Sequence, residues 1–573
     1  MTRAAGSKRG SRGPPIETRV RRQREAGMID AGGGASVNQR IDYAVVGGGI
    51  GGAYSAWRIK QAMPDKRVVL LEYSDRIGGR LFTRPLPGIT AVNAELGGMR
   101  YIPESHPLVN NLVKELGLAH RPFPMGDPKT DPHGKNNYAY YRRELRLIGQ
   151  QSDSAKIPYR VDPGELNKTP DDLQEQVLTT LVPNYQNLSF DDWFKVEVFG
   201  RPLYEYGFWN LLYRVLSPEA FEYLRIGSGY DTNVSNGNSV SLLPTGGEYS
   251  ATNPYQTLVD GMEAIPSALA KQFEHKFGGE VTMNARVGRI VRRQDGLYTL
   301  TVHRTVSQRG TTSDRQPPEV SELTADHVVL AMPRRSLELV EWDQFQKDAF
   351  LRANLGSVLI QTAFKLFLAY PYAWWKALGL VAGRSMTDMP IRQTFYFTAP
   401  DDMDTPNIST EPALLMASYN DISTVPFWKG LETGERMNGP DEALATIPMV
   451  NEAHRQIVEL HGQRELPRPY AAAYRDWSED PFGGAWHCWK AGFRYNAIIP
   501  KMTRPVQSEK VYVCGEAYSN NQGWAEGALE TAEQMLTDQL GIPKHPVSQG
   551  VQPNPLRRVE HTTALRAKFG QLI

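Results

Sequence analysis

Apolar and polar positions along the chain fall into short runs whose period changes repeatedly. Tyr43-Ala44-Val45-Val46 is a continuous apolar run that enters Gly47-Gly48-Gly49, and residues 53–63 then carry helical spacing. Arg67-Val68-Val69-Leu70-Leu71 is a second apolar run, ending at Glu72. Continuous runs this short, bounded by turn residues, predict strands buried on both faces, and the order strand, glycine turn, helix, strand predicts a βαβ unit. Further on, residues 281–290 and 297–302 read as strands joined at Asp295-Gly296, a strong hairpin signal, and the polar run 307–318 reads as a loop. Strands are also expected at 327–331, 364–368, 414–419 and 510–514, and Leu529, Ala532, Leu536 and Leu540 mark one apolar helix face. Residues 171–181 and 202–216 have helical periodicity, the second with aromatics on more than one face. The pattern predicts an α/β protein with a helical insertion.

Length divides this pattern further, since 573 residues exceed one core, which stops growing near ~250–300, and imply two or three domains. With 64 basic and 63 acidic side chains, no long-range field argues for a nucleic-acid partner or an anionic membrane, and no apolar run approaches the ~20 residues of a bilayer span. Two cysteines, Cys488 and Cys514, cannot form a disulfide framework and fit reduced thiols in a cytoplasmic setting. Residues 1–40 hold nine basic and three acidic residues among Gly, Ser and Pro, which predicts a disordered basic tail. The tail lacks the 7–15-residue apolar stretch of a secretory signal, so no export is expected.

The candidate chemistry begins at the glycines. Gly47, Gly49 and Gly52 make G-x-G-x-x-G, which lets backbone N–H groups at a helix N-terminus approach a pyrophosphate. Glu72 stands 20 residues beyond Gly52, where an acid accepts hydrogen bonds from a ribose diol. Together these predict a dinucleotide site. Lys365, alone among apolar residues on an expected strand, is a buried ammonium that needs a reason, because an unpaired buried charge is costly.

After Glu72 the chain reads Tyr73-Ser74-Asp75-Arg76-Ile77-Gly78-Gly79-Arg80, and the pattern E-x-x-x-R-x-G-G-R behind G-x-G-x-x-G resembles the flavin amine oxidase family. The resemblance implies FAD, with Arg76 and Arg80 supplying charge to the diphosphate, Val287 contacting adenine and Glu516 meeting the ribityl chain. Gly97-Gly98-Met99-Arg100 is similar to the turn that passes beside the flavin ring. In the L-amino acid oxidase branch its arginine clamps the substrate α-carboxylate, a task suited to a planar, always-charged guanidinium. Tyr419 stands where that branch places a phenol against the carboxylate, and residues 383–392 resemble its G-(K/R)-S-x-T-D-x-P-x-R stretch. Lys365 matches the lysine that holds a water against flavin N5. Gly523 and Trp524 match the pair lining the substrate site, and Trp486 matches one wall of an aromatic cage. Monoamine oxidases have a flavin-linked cysteine where this chain has Ala485, so the FAD is expected to be non-covalent.

The fold this implies is a Rossmann-like, glutathione-reductase-like FAD-binding domain assembled from 41–80, 255–335 and 500–541. A mixed-sheet substrate domain is expected from 81–130 and 336–499, a helical domain from 131–254, and tails at 1–40 and 542–573. The activity implied is oxidative deamination of an L-amino acid, with dioxygen as acceptor, in a homo-oligomer of two or more chains. An amino-acid 2-monooxygenase giving amides, an amine or polyamine oxidase, and a flavoprotein without turnover are the alternatives.

Overall fold

The computed structural model describes residues 40–551, apart from 124, 126–133, 135, 246–252, 309–310, 398–409 and 439–443. Of the tails expected at 1–40 and 542–573, residues 1–39 and 552–573 lie outside the described residues. Arg40 instead begins a strand, and Ile542 and Val547 are buried in the core, so the chain stays packed to about 551.

A nine-stranded sheet gathers strands that are far apart in sequence. Arg40–Val46 lies between Val68–Leu71 and Val320–Ala331, parallel to both; Glu280–Thr282 extends one side and Val511–Cys514 pairs with residues 328–331 on the other, also in parallel. Val68–Leu71 is buried at every position, as are Ala44 to Val46, which explains why these strands read as unbroken apolar runs. The helix Ile50–Ala62 is buried from Ile50 through Lys60 and meets the helix Ala525–Gln534, so the C-terminal ends of the parallel strands open onto one edge beneath two helix starts. In open α/β sheets that edge is where ligands sit.

The antiparallel side of the sheet carries the expected hairpin, with Ala285–Arg292 paired to Tyr298–Gln308. The stretch expected as a loop at 307–318 contains a strand instead: Thr311–Asp314 pairs with residues 305–308. Its Thr and Ser residues are polar but fit a pleated surface, so polarity alone misled the reading. The helix expected over 202–216 is interrupted as well. A short 3-10 turn spans Leu203–Glu205, and the α-helix begins only at Phe208, after Gly207. A Cβ at Gly207 would stand 2.0 Å from the side-chain oxygen of Asn236, so a larger residue there would have to displace that amide.

A second sheet of seven strands runs in the order Ala471–Asp476, Ala363–Tyr370, Ala413–Asp421, Gln393–Tyr396, Gly383–Thr387, Tyr138–Tyr141, Glu144–Leu147. Along Ala363–Tyr370 the residues Phe364, Leu366, Leu368 and Tyr370 pack into the core beneath the helix Ile447–Leu460, each such burial being worth about 1.5–3 kcal/mol. Period-two alternation then places Lys365 on the opposite face, the one that also carries Phe367 and Ala369 and packs with Leu96, Met99 and Trp524. The helical segment, with Pro170–Leu181, Phe208–Val215 and Pro218–Gly227, is tied to this sheet through Asp421. Its carboxylate accepts from the backbone N–H groups of Asp231 at 2.8 Å and Thr232 at 2.9 Å, and from the Thr232 hydroxyl at 2.7 Å. Among the described residues no helix is long and apolar enough to cross a membrane, and no cluster of His, Cys, Asp and Glu could hold a metal ion.

Candidate active site

A cleft, enclosing about 1530 Å³ when the solvent at its open mouth is included, runs from the glycine turn to the face of the second sheet that carries Lys365. Its floor is backbone. Gly47 has φ +106°, and a Cβ there would meet the carbonyl oxygen of Ala331 at 2.5 Å; one on Gly52 would lie 1.8 Å from the carbonyl oxygen of Gly47. Only glycines allow the first helical turn to press onto the strand end this closely. Glu72 closes the turn from the side, with Oε2 accepting from the Gly48 N–H at 2.6 Å and Oε1 from the Ser74 N–H at 2.9 Å.

The charged groups of this wall answer one another. The buried carboxylate of Glu516 accepts from Arg80 Nη1 at 2.8 Å, from the His487 N–H at 2.9 Å, from His487 Nδ1 at 2.8 Å and from the Gly523 N–H at 2.7 Å. Burial by itself would raise its pKa, but the charge of Arg80 and the contacts with His487 hold it well below the usual carboxylate range. Arg80 also donates to the carbonyl of Ala485 at 2.8 Å. Arg76 does not share that wall. Its guanidinium folds back onto the carbonyls of Leu81 and Gly79 and lies 4.0 Å over the Phe82 ring, because a cation this deeply buried, its pKa pushed down to about 10, needs acceptors of its own.

The opposite wall is different. Lys365 Nζ donates to the carbonyls of Glu95 at 3.1 Å and Gly97 at 2.5 Å and sits 4.4 Å over the ring of Tyr419, its cross-strand partner. Burial pushes its pKa down to about 7. Glu95, buried on the adjoining segment and bonded to the Thr83 hydroxyl and the Met262 N–H, is pushed up to about 7 by the same cause. Trp477 Nε1 donates to the carbonyl of Leu96 at 2.8 Å, so three consecutive carbonyls before Gly98 are held by side chains.

Arg100 follows on that segment. It is only 7% exposed and is surrounded by aromatic rings, with Tyr255 at 4.6 Å, Phe123 at 5.5 Å and Phe395 at 5.9 Å. Among the described residues its Nε and Nη1 have no hydrogen-bond acceptor. Burial opposes its charge, and the phenols of Tyr230, Tyr255 and Tyr419 around it more than restore it.

Of the residues singled out from sequence, the cleft brings together Gly47, Gly49, Glu72 and Arg80, then Gly97, Gly98 and Val287, and finally Lys365, Tyr419, Trp486, Glu516, Gly523 and Trp524. Gly52 lies beneath the turn, Met99 is buried in the adjoining cluster, and Arg100 is buried beside the wall instead of on it. Sequence reasoning missed three participants, His487, Trp477 and Tyr230, and gave no role to a fourth, Arg384, which it had only as part of the 383–392 stretch. His487 stood one residue from the flagged Trp486. Trp477 stood in the same stretch and was assigned no role. Tyr230 packs edge-on to Tyr419 with ring centroids 5.2 Å apart, and Arg384 lies buried 5.9 Å from the Tyr230 ring. No periodicity or motif marks Tyr230, because its segment is a short irregular connection.

A dinucleotide-binding sheet edge whose cleft ends against a wall of buried cations and aromatics defines an oxidoreductase of the flavin type. The chain belongs to the family of flavin-containing amine oxidoreductases, whose model matches residues 50–535. It is 30% identical over 520 residues to Aplysianin-A of Aplysia kurodai, covering 87% of this chain and 90% of that one. It is 24% identical over 502 residues to an L-amino-acid oxidase of Demansia vestigiata, covering 86% of each. Putrescine oxidase with bound putrescine shares the fold at a TM-score of 0.61 and 15% identity, over 88% of this chain and 99% of that one.

Proposed function

We propose that the protein is an L-amino acid oxidase using non-covalently held FAD, which converts L-amino acids to 2-oxo acids with release of ammonia and hydrogen peroxide. The observation that carries the reading is Arg100: a guanidinium buried among aromatics, with two donors unanswered, next to a tyrosine of the cleft wall. A buried charged donor left without an acceptor costs more than the ~1–3 kcal/mol of a neutral one, and a ligand carboxylate removes that cost. An amine lacking a carboxylate gives the arrangement no purpose.

The residues of the cleft fit FAD. The Gly47–Gly52 turn and Gly79 leave room for backbone to approach a diphosphate. Glu72 stands beside the turn for a ribose, Val287 lines the adenine end, and Glu516 lies between turn and substrate wall. Cys488 and Cys514, the only cysteines, are both buried, and burial pushes the Cys514 thiol up to about 12, which supports non-covalent binding. When bound, the flavin supplies a two-electron acceptor for the Cα–H hydride and a route for those electrons to dioxygen.

The chain's own part is binding and orientation. Arg100 and Tyr419 take the carboxylate, which fixes the direction of the Cα–H bond. Trp486 and Trp524 bound the side-chain space beside Ala485, and the Gly523 carbonyl accepts from the amine in its neutral form. Lys365 offers an Nζ whose proton is held weakly, in position to order a water. Hydrolysis of the imino acid then gives the 2-oxo acid and ammonia. A peroxide-release screen of the twenty L-amino acids on the purified protein tests the reading. Turnover of L-amino acids to 2-oxo acids is expected; amides as products, activity only on carboxylate-free amines, or a yellow protein inert to all of them would overturn it.

A further inference from the structure

The connection Ser228-Gly229-Tyr230-Asp231-Thr232 is the point at which the helical segment reaches the substrate wall. It is fastened from both sides. On one side, Gln393 Nε2 donates to the carbonyl of Gly229 at 2.8 Å while its Oε1 accepts from Arg384 at 2.5 Å. Gly229 has φ +85°, and a Cβ on it would lie 2.8 Å from the Gln393 amide, so the backbone can approach this closely only as glycine. On the other side, Asp421 accepts from the N–H groups of Asp231 and Thr232, and Asp231 is itself paired with Arg225 at 3.2 Å and Arg392 at 3.5 Å. Thr232 accepts from Trp486 Nε1 at 3.1 Å, which couples the same connection to the cleft wall.

Between these fastenings stands Tyr230, only 4% exposed, edge-on to Tyr419 and with Arg384 over its ring. Its phenol lies close enough to Arg100 and Tyr419 to shift the ionisation of both. A residue held in this way beside a buried cation with two unanswered donors is more than packing, since a phenylalanine would fill the space without an oxygen to satisfy. We propose that Tyr230 is a third donor of the carboxylate site, supplied by the helical segment, and that Asp421 and Gln393 are the positioning residues that hold it there. The inference rests on the reading of Arg100 as the carboxylate anchor. The site would then take an α-carboxylate on three groups from three separate segments, which selects for amino acids over amines more sharply than Arg100 and Tyr419 alone.

The test uses the full-length, flavin-loaded protein with benzoate as a carboxylate that cannot be oxidised, titrated calorimetrically, together with kcat and KM for the best substrate of the screen. Tyr230→Phe is expected to weaken benzoate at least fivefold and raise KM about tenfold, with kcat changed less than threefold. Asp421→Asn should move KM in the same direction, with no further change in the double variant; an effect on thermal stability alone would overturn the positioning role. Tyr230→His, which returns a donor, should bind benzoate better than Tyr230→Leu, and equal binding by the two would reduce Tyr230 to packing. If Arg100→Ala loses benzoate and Tyr230→Phe keeps it, Tyr230 is excluded and the carboxylate reading stands. If Arg100→Ala keeps benzoate, the carboxylate reading itself falls and takes this proposal with it.

Discussion

The two walls of the cleft handle charge in opposite ways. On the glycine-turn side every ionised group named has its partner within the chain: Glu516 is met by Arg80, His487 and Gly523, and Glu72 by the turn itself. On the sheet side no carboxylate among the described residues is bonded to the buried Arg100 or Arg384, and the partners of Lys365 there are backbone carbonyls and a ring. The first wall is complete by itself and holds its shape. On the second, no described carboxylate answers Arg100, and a buried positive charge left unanswered costs stability until a ligand supplies an anion. On the proposed reading, the first wall is the part of the site that cradles and the second the part that selects.

The glycine turn offers the strongest way to break the contrast. Gly52→Val, with its Cβ driven to within 1.8 Å of the Gly47 carbonyl, should lower folding stability by more than ~4 kcal/mol or abolish folding, read by denaturant melts. Gly51→Ala is the comparison. Its Cβ would meet only Ala528, at 3.4 Å and beyond, so it should cost under ~1 kcal/mol.

The sheet wall should respond to pH instead. Glu95 is raised from 4.5 to about 7, so its folded form holds the proton more tightly. That contribution is present below pH 4.5 and is lost as pH rises through 7. Glu95→Gln should therefore gain on the parent protein between pH 5 and pH 8, by up to about 3 kcal/mol, in paired unfolding curves. A difference independent of pH would show that Glu95 titrates normally. Arg100→Ala should cost ~1.5–3 kcal/mol in kcat/KM for the best amino acid, and an unchanged value would remove the carboxylate assignment. The smallest effect is expected from Lys365→Met: about tenfold slower flavin reduction or reoxidation, ~1.4 kcal/mol, with flavin still bound. Loss of the flavin would instead make Lys365 a clamp for the carbonyls of Glu95 and Gly97.

How much of this could be read in advance follows from how local each signal is. The glycine turn, Glu72 and the strands beside them were legible because each is specified by neighbours within a few residues. Lys365 was legible as an anomaly, one polar residue in an apolar run, yet its bonds to Glu95 and Gly97 span about 270 positions and leave no trace in either stretch. Arg76 and Arg80 look alike in the motif. Folding separates them by turning Arg76 onto its own backbone and Arg80 onto Glu516, 436 residues away.

What the sequence alone determined is the glycine turn, the acid that follows it and the family to which both belong; the arginine and tyrosine proposed for a carboxylate were named by resemblance to that family. Local sterics and period carry such information, since only glycine fits Gly47 and only alternation puts Lys365 on the face away from the core. Tertiary structure decided which charges are answered and which are left open. Hydrogen-bond geometry and burial are properties of neighbours in space, and the neighbours of Arg100, Tyr419 and Tyr230 come from three stretches that meet only when the helical segment docks on Asp421.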